Sequence, residues 1–326
     1  MTARRLLVAL AAGLAVLSAA AGPAFGGTTQ TTEHRGARSL LTSGLSNGFG
    51  STVGPDGMLY VTESAVGRVT RVDPHSGAVS TFASGLPVMN PAIGIGGAMD
   101  VAFLDGTAYA IVTLVDPLVG GSSADGLYRI TPGRPPVLVA DIGAWALTHP
   151  PATPFDVPTG VLYAMEPWRG GFLVTDGHHN RLLDVRLDGT VTEYRAFPNV
   201  VPTGLERQGG TILMAQAGPV PHQPQDGRVL AFRSQTDPAS VVASGAPLLV
   251  DVERSGHRLY ALSQGDYSGD PAGSPALPDT GTLQQVAPDG SMRPVATALD
   301  RPTSLELIGR SGYVTTLDGE IWRIQL

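Results

Sequence analysis

The chain has 326 residues, of which 42% are apolar and 15% charged, with a net charge of −7, 42 glycines, 27 prolines and no cysteine. That much apolar content with so little charge excludes a disordered chain. The 21 basic residues, all arginine, form no basic stripe, which excludes a nucleic-acid surface. The missing cysteines exclude disulfides, a thiol nucleophile and a lipid-anchored cysteine. Abundant glycine and proline beside a large apolar fraction fit many turns between short strands.

Residues 1–26 read as an export signal: Arg4 and Arg5 form a positive start, Leu6 to Ala21 an apolar stretch, and small residues follow, with cleavage near Ala21 or Ala24. The expectation is a secreted, monomeric protein exported by the general or the twin-arginine route, with no membrane span in the mature chain. Residues 27–37 read as a flexible lead and 38–326 as a single domain.

Within that domain one unit recurs six times. The first copy runs through the turn Gly54-Pro55-Asp56-Gly57, the apolar Leu59-Tyr60-Val61-Thr62, then GRVTRVD (67–73) and VSTFAS (79–84). The GRVTRVD piece returns as GLYRITP (126–132), NRLLDVR (180–186), GRVLAFR (227–233), GTLQQVA (281–287) and GEIWRIQ (319–325). Spacings of roughly 48 residues with four strand-like runs each are those of propeller blades. The expected fold is all-β, a six-bladed propeller of four-stranded antiparallel sheets with no helix. The sixth copy lacks its last strand, and Ser39–Leu45 supplies it, because an open ring leaves unpaired edges.

Connections between first and second strands, and between third and fourth, are short: 54–57, 104–106, 207–210, 254–257 and 288–290. Those on the other face are long: 87–98, 115–125, 141–155, 217–226 and 265–280. Function on a rigid scaffold is carried by loops, so the long-loop face is the expected working face.

Asp176-Gly177-His178-His179-Asn180-Arg181-Leu182 resembles the turn of NHL repeats. In the order of its segments, above all 43–64, 160–191 and 248–273, the chain resembles the ScyD/ScyE family of secreted bacterial propellers, with a more distant similarity to gluconolactonase-type propellers. The resemblance implies fold and export, not a reaction. The chain departs from it at Asn47-Gly48-Phe49-Gly50, where Asn-Pro-Arg-Gly is usual, and at 156–160, where an Asn-Pro-Tyr-Gly stretch is usual.

Asp100 and Asp251 occupy matching places in the first strands of blades two and five, with Gly160, Gly204 and Ser304 in the same column. With Asp156 they are metal candidates, for calcium or another divalent cation, since hard cations take several carboxylate oxygens; the bland reading is that each carboxyl caps a backbone amide. Asp100, Asp251, His178 and His179 are the candidate catalytic groups. Glu63, Asp156, Asp176, Asn180, Gln216, Gln264, Asp266 and Arg301 are expected on the ligand face, Arg301 reaching the channel to pair with Asp100 or Asp251. His149 and His222 are placed to converge with His178, Tyr267 to offer an aromatic contact, and Trp322 to lie in the core. The first functional reading is a module binding a small molecule, a carbohydrate or an extracellular protein. The alternative is a metal-dependent lactonase or lyase with a cation at the channel mouth.

Overall fold

The computed structural model describes residues 36–270 and 273–326, so the expected export signal and most of the lead segment lie outside the described residues. Six four-stranded antiparallel sheets follow in chain order. Blade one is β2 (Gly48–Val53), β3 (Leu59–Glu63), β4 (Arg68–Val72) and β5 (Val79–Ser84); blade two is β6 (Gly97–Leu104), β7 (Thr107–Thr113), β8 (Gly126–Ile130) and β9 (Val137–Asp141). Blade three is β10 (Leu162–Trp168), β11 (Gly171–Asp176), β12 (Arg181–Arg186) and β13 (Val191–Ala196); blade four is β14 (Pro202–Gln208), β15 (Thr211–Gln216), β16 (Arg228–Phe232) and β17 (Ser240–Ser244). Blade five is β18 (Leu249–Ser255), β19 (Arg258–Ser263), β20 (Gly281–Val286) and β21 (Met292–Leu299). Blade six has β22 (Pro302–Ile308), β23 (Ser311–Thr316) and β24 (Ile321–Gln325), and takes its outer strand from the front of the chain, β1 (Arg38–Thr42).

The sequence pattern explains the layering. Second strands such as Leu59–Glu63 and Gly171–Asp176 are buried along their whole length, because both of their faces meet neighbouring sheets. They therefore read as unbroken apolar runs, whereas outer strands such as β5 are mostly exposed, with Ala83 alone fully buried. The tight turns rest on Asp-Gly chemistry: the carboxyls of Asp56, Asp188 and Asp289 accept from the amides of Met58, Thr190 and Ser291.

The ring closes as expected. β1 pairs antiparallel with β24, Arg38 opposite Ile324 and Leu40 opposite Trp322, and the pairing is prolonged by bonds from Gly36 to Gln325 and from Gln325 to Ala37. Arg38 donates to the Thr297 and Ala298 carbonyls of the fifth blade and lies 5.0 Å over the Trp322 ring. Trp322 is thus half-buried under Arg38 rather than in the core. One helix interrupts the loop 141–155, read from sequence as irregular: α1 (Ile142–Thr148), capped by the Asp141 carboxyl on the Ala144 amide, with Ile142 and Ala146 buried one turn apart.

Deleting the chain through residue 43 removes β1 and leaves β24 as an open edge. The expected outcome is a melting temperature lowered by roughly 10 °C or more, with association into dimers or larger species. Circular dichroism melts and size-exclusion chromatography check it; an unchanged melt refutes the closure.

Candidate functional site

Every inner strand carries a register shift near its start: between Gly48 and Ser51, Ala98 and Asp100, Leu162 and Met165, Pro202 and Leu205, Leu249 and Asp251, and Pro302 and Ser304. A bulge places successive side chains toward the same side, so each blade lends two consecutive residues to the axis. The first of each pair builds a largely apolar layer, with Phe49, Met99, Tyr163 and Val250 lining both the cavity on the long-loop face and the channel cavity beneath. Phe49 and Tyr163 meet edge to face at 5.7 Å, and the Tyr163 hydroxyl donates across the ring to the Thr303 carbonyl at 3.4 Å. This layer plugs the channel.

The second residues lie beneath the plug: Gly50, Asp100, Ala164, Gly204, Asp251 and Ser304. Asp100 and Asp251 do share the column, as expected, but Ala164 rather than Gly160 represents blade three. Neither carboxyl is free. Asp100 accepts from the Val101 amide and, across to blade three, from Met165, both at 2.8 Å. Asp251 does the same with Val252 and, in blade six, Leu305, also at 2.8 Å. Each leans on a glycine of the preceding blade: a Cβ at Gly50 or Gly204 would come within 2.3 or 2.5 Å of the carboxylate oxygen. The two aspartates are struts between blades.

Two residues further along, the strands carry Glu166, Glu206, Glu253 and Glu306, and Glu166, Glu253 and Glu306 line the channel cavity of 280 Å3 with the strut carboxyls. Sequence reading missed these glutamates, although their constant distance from the Asp column marks them. Burial, reinforced by neighbouring carboxylates, raises Glu253 and Glu306 and lifts Glu166 to about 8; burial lifts Glu206 to about 7. Burial likewise raises Asp100 and carries Asp251 to about 7. The Arg207 guanidinium stands 3.9 Å from Glu166 and offsets part of this.

On the long-loop face, the last residues of the second strands hold the loops. Buried Glu63 accepts from the Ser46 amide, from Arg68 at 2.7 and 2.8 Å, and from the Thr70 hydroxyl. Asp176 receives Arg181 at 3.0 Å and the Val161 amide, while Arg181 also donates to the His149 carbonyl and stacks over Trp145. His179 is buried with its Nε2 against the Val157 carbonyl at 2.8 Å. Gln216 donates to the Asp226 carbonyl. Arg301 turns away from the channel, pairing with Asp300 at 2.7 Å and Asp318 at 2.8 Å, so its expected pairing with Asp100 or Asp251 is corrected. Asp266 is exposed in its loop.

What remains facing ligand space is a cavity of 380 Å3 above the plug. Of the expected residues, it gathers Asp156, His178, Asn180 and Gln264, together with His222, between apolar walls that include Ile95, Phe155, Val220 and Leu248. Asn180 spends its carbonyl oxygen on the Val200 and Val201 amides, and Gln264 spends its own on Ala276. The His178 ring lies 3.6 Å from where a Gly273 side chain would begin; burial lowers its pKa, so it is neutral at pH 7. Tyr267 meets His222 edge to face at 5.7 Å. His149 stacks on Trp145 and does not join the other two histidines. Among the described residues no three histidine, aspartate or glutamate side chains gather to hold a metal ion, and Asp100 and Asp251 are parted from Asp156 by the plug.

No protein-family model matches the chain, and no curated protein matches it. Solved structures do match in fold. A gluconolactonase from Xanthomonas campestris superposes with a TM-score of 0.60 at 11% identity, covering 89% of each chain. The pyrroloquinoline-quinone-bound aldose sugar dehydrogenase of Streptomyces coelicolor gives 0.58 at 14%, covering 89% of this chain and 98% of that one. Virginiamycin B lyase from Staphylococcus aureus gives 0.52 at 13%, with the same coverage. What the chain shares with these structures is the fold, a six-bladed propeller of four-stranded antiparallel sheets.

The channel carboxyls set a pH dependence. A carboxyl with a raised folded pKa binds its proton more tightly folded than unfolded, so its contribution is largest below the ordinary carboxylate range and is lost as pH climbs through about 7–8. Glu166→Gln is expected to raise the stability at pH 8 by about 1–2 kcal/mol while leaving pH 5 nearly unchanged. Urea midpoints at the two pH values measure it; equal midpoint shifts at both would contradict it.

Proposed function

We propose that this chain is an exported binding propeller that takes a small, neutral, mainly apolar organic molecule into the cavity on its long-loop face. The observation that carries this reading is the plug: Phe49, Met99, Tyr163 and Val250 give the cavity an apolar floor and separate it from the channel carboxyls. Its 380 Å3 falls within the roughly 300–1,000 Å3 of small-molecule sites, which are mostly apolar with a few placed polar groups. Those groups here are the neutral His178 ring and the side-chain amide nitrogen of Gln264, whose oxygen is already engaged. With Asp156 exposed at the rim and Glu63 and Asp176 committed to arginines, little charge is left to recognise an ionic ligand.

A second reading is favoured by one further observation. His178 is neutral and makes no side-chain hydrogen bond among the described residues, which suits a general base, and the fold neighbours include a gluconolactonase and a lyase. In this reading His178 takes a proton from a water molecule as that water adds to the carbonyl of a lactone bound over the plug, and returns the proton to the ring oxygen as the acyl–oxygen bond breaks.

Thermal-shift and calorimetric titration with neutral aromatic and alicyclic compounds tests the first reading. Binding in the micromolar range, weakened at least about tenfold by Ser274→Trp at the cavity wall, is expected. No binder among such compounds, with saturable binding of charged ones, would overturn it. Lactone turnover abolished by His178→Ala, with binding retained, would establish the second reading instead.

A further inference from the structure

We propose that Asp116, Asp125 and Thr159 form a site for a hard divalent cation of the calcium class, which straps the long loop of blade two to the segment entering blade three. Asp116 and Asp125 lie in the connection between β7 and β8, and Thr159 in the segment before β10. All three are buried, at 6%, 1% and 3% exposure. Thr159 Oγ1 donates to Asp116 Oδ2 at 2.9 Å. Asp116 Oδ1 accepts from the Leu118 amide at 2.7 Å, and Asp125 Oδ1 from the Val115 amide at 2.9 Å. Asp125 Oδ2 is completely enclosed and has no hydrogen-bond partner.

The contrast with the rest of this face decides the argument. The other two deeply buried acids there each hold an arginine, Glu63 with Arg68 and Asp176 with Arg181. Among the described residues, Asp116 and Asp125 form no ion pair. Two carboxylates enclosed together without a counter-charge cost several kcal/mol unless something neutralises them. The charge of the Asp116 neighbour adds to burial in raising Asp125 to about 7. Asp125 Oδ2, Asp116 Oδ2 and the Thr159 hydroxyl offer oxygen donors of the kind calcium prefers, with backbone carbonyls or water to complete its shell. Gly143 permits the approach: a Cβ there would sit 3.1 Å from the Asp125 Cβ and 3.4 Å from that of Thr159.

The competing arrangement is a proton shared between the two carboxyls, and the experiment separates them. The mature protein is stripped with a chelator, then titrated with calcium chloride by calorimetry and by thermal melts, with Glu253→Gln as a control in the channel. The expected result is saturable uptake of one calcium, a melting temperature raised by about 5 °C at a hundredfold excess over Kd, loss of both in Asp125→Asn, and retention of both in Glu253→Gln. If Asp125→Asn does not fold, Asp116→Asn and Thr159→Val serve, each expected to weaken calcium at least about tenfold. Two results overturn the proposal: no saturable uptake by the wild-type protein, or uptake that persists undiminished in these variants.

Discussion

The bulge near the start of each inner strand is the constraint on which the site depends. A regular strand sends alternate side chains to opposite faces, and six regular inner strands would give the axis a single repeating layer. The register shifts present in all six instead give two adjacent layers, an apolar plug and a polar column directly below it. One side of the disc is thereby given an apolar floor, while the acids are kept on the other side, where they face one another and the backbone.

The acids below the plug then do structural work. Each strut aspartate offers two oxygens to two amides, one in its own blade and one in the next. A hydrogen bond of this kind is worth about 1 kcal/mol net, but an unpaired buried amide costs more than that, so removing a strut damages two blades together. The glutamates further along are less fully neutralised, Glu166 having Arg207 at 3.9 Å, and their burial is what links the fold to pH. On the opposite face, Glu63 and Asp176 show the other way to keep a buried acid, with an arginine five residues on.

The ring was legible in the sequence because its signals are periodic: GRVTRVD and its five echoes, the Asp-Gly turns, and the stray strand at Leu40 that the last blade lacked. The matching of Asp100 with Asp251 was legible too. Their role was not, since a bulge that adds one residue to each strand leaves no mark in a pattern of twos; the blade-three member of the column is Ala164 rather than Gly160 because β10 begins only at Leu162. Arg301 was misplaced because its partners, Asp300 and Asp318, lie beside it at the rim, and nothing in the spacing of the repeats marks that pairing. Phe49 is part of the apolar floor. Asp116 and Asp125, separated by a loop of proline, glycine and serine, gave no sign of meeting.

The struts recur half a turn apart. Glycine, aspartate and a small residue fill the column in blades one to three as Gly50, Asp100 and Ala164, and again in blades four to six as Gly204, Asp251 and Ser304. The disc is thus two similar halves, each with its own internal brace, Asp100 tying blade two to three and Asp251 tying five to six. Neither brace crosses the boundary between blades three and four. A break in the chain between Ala196 and Pro202 would therefore leave both braces whole.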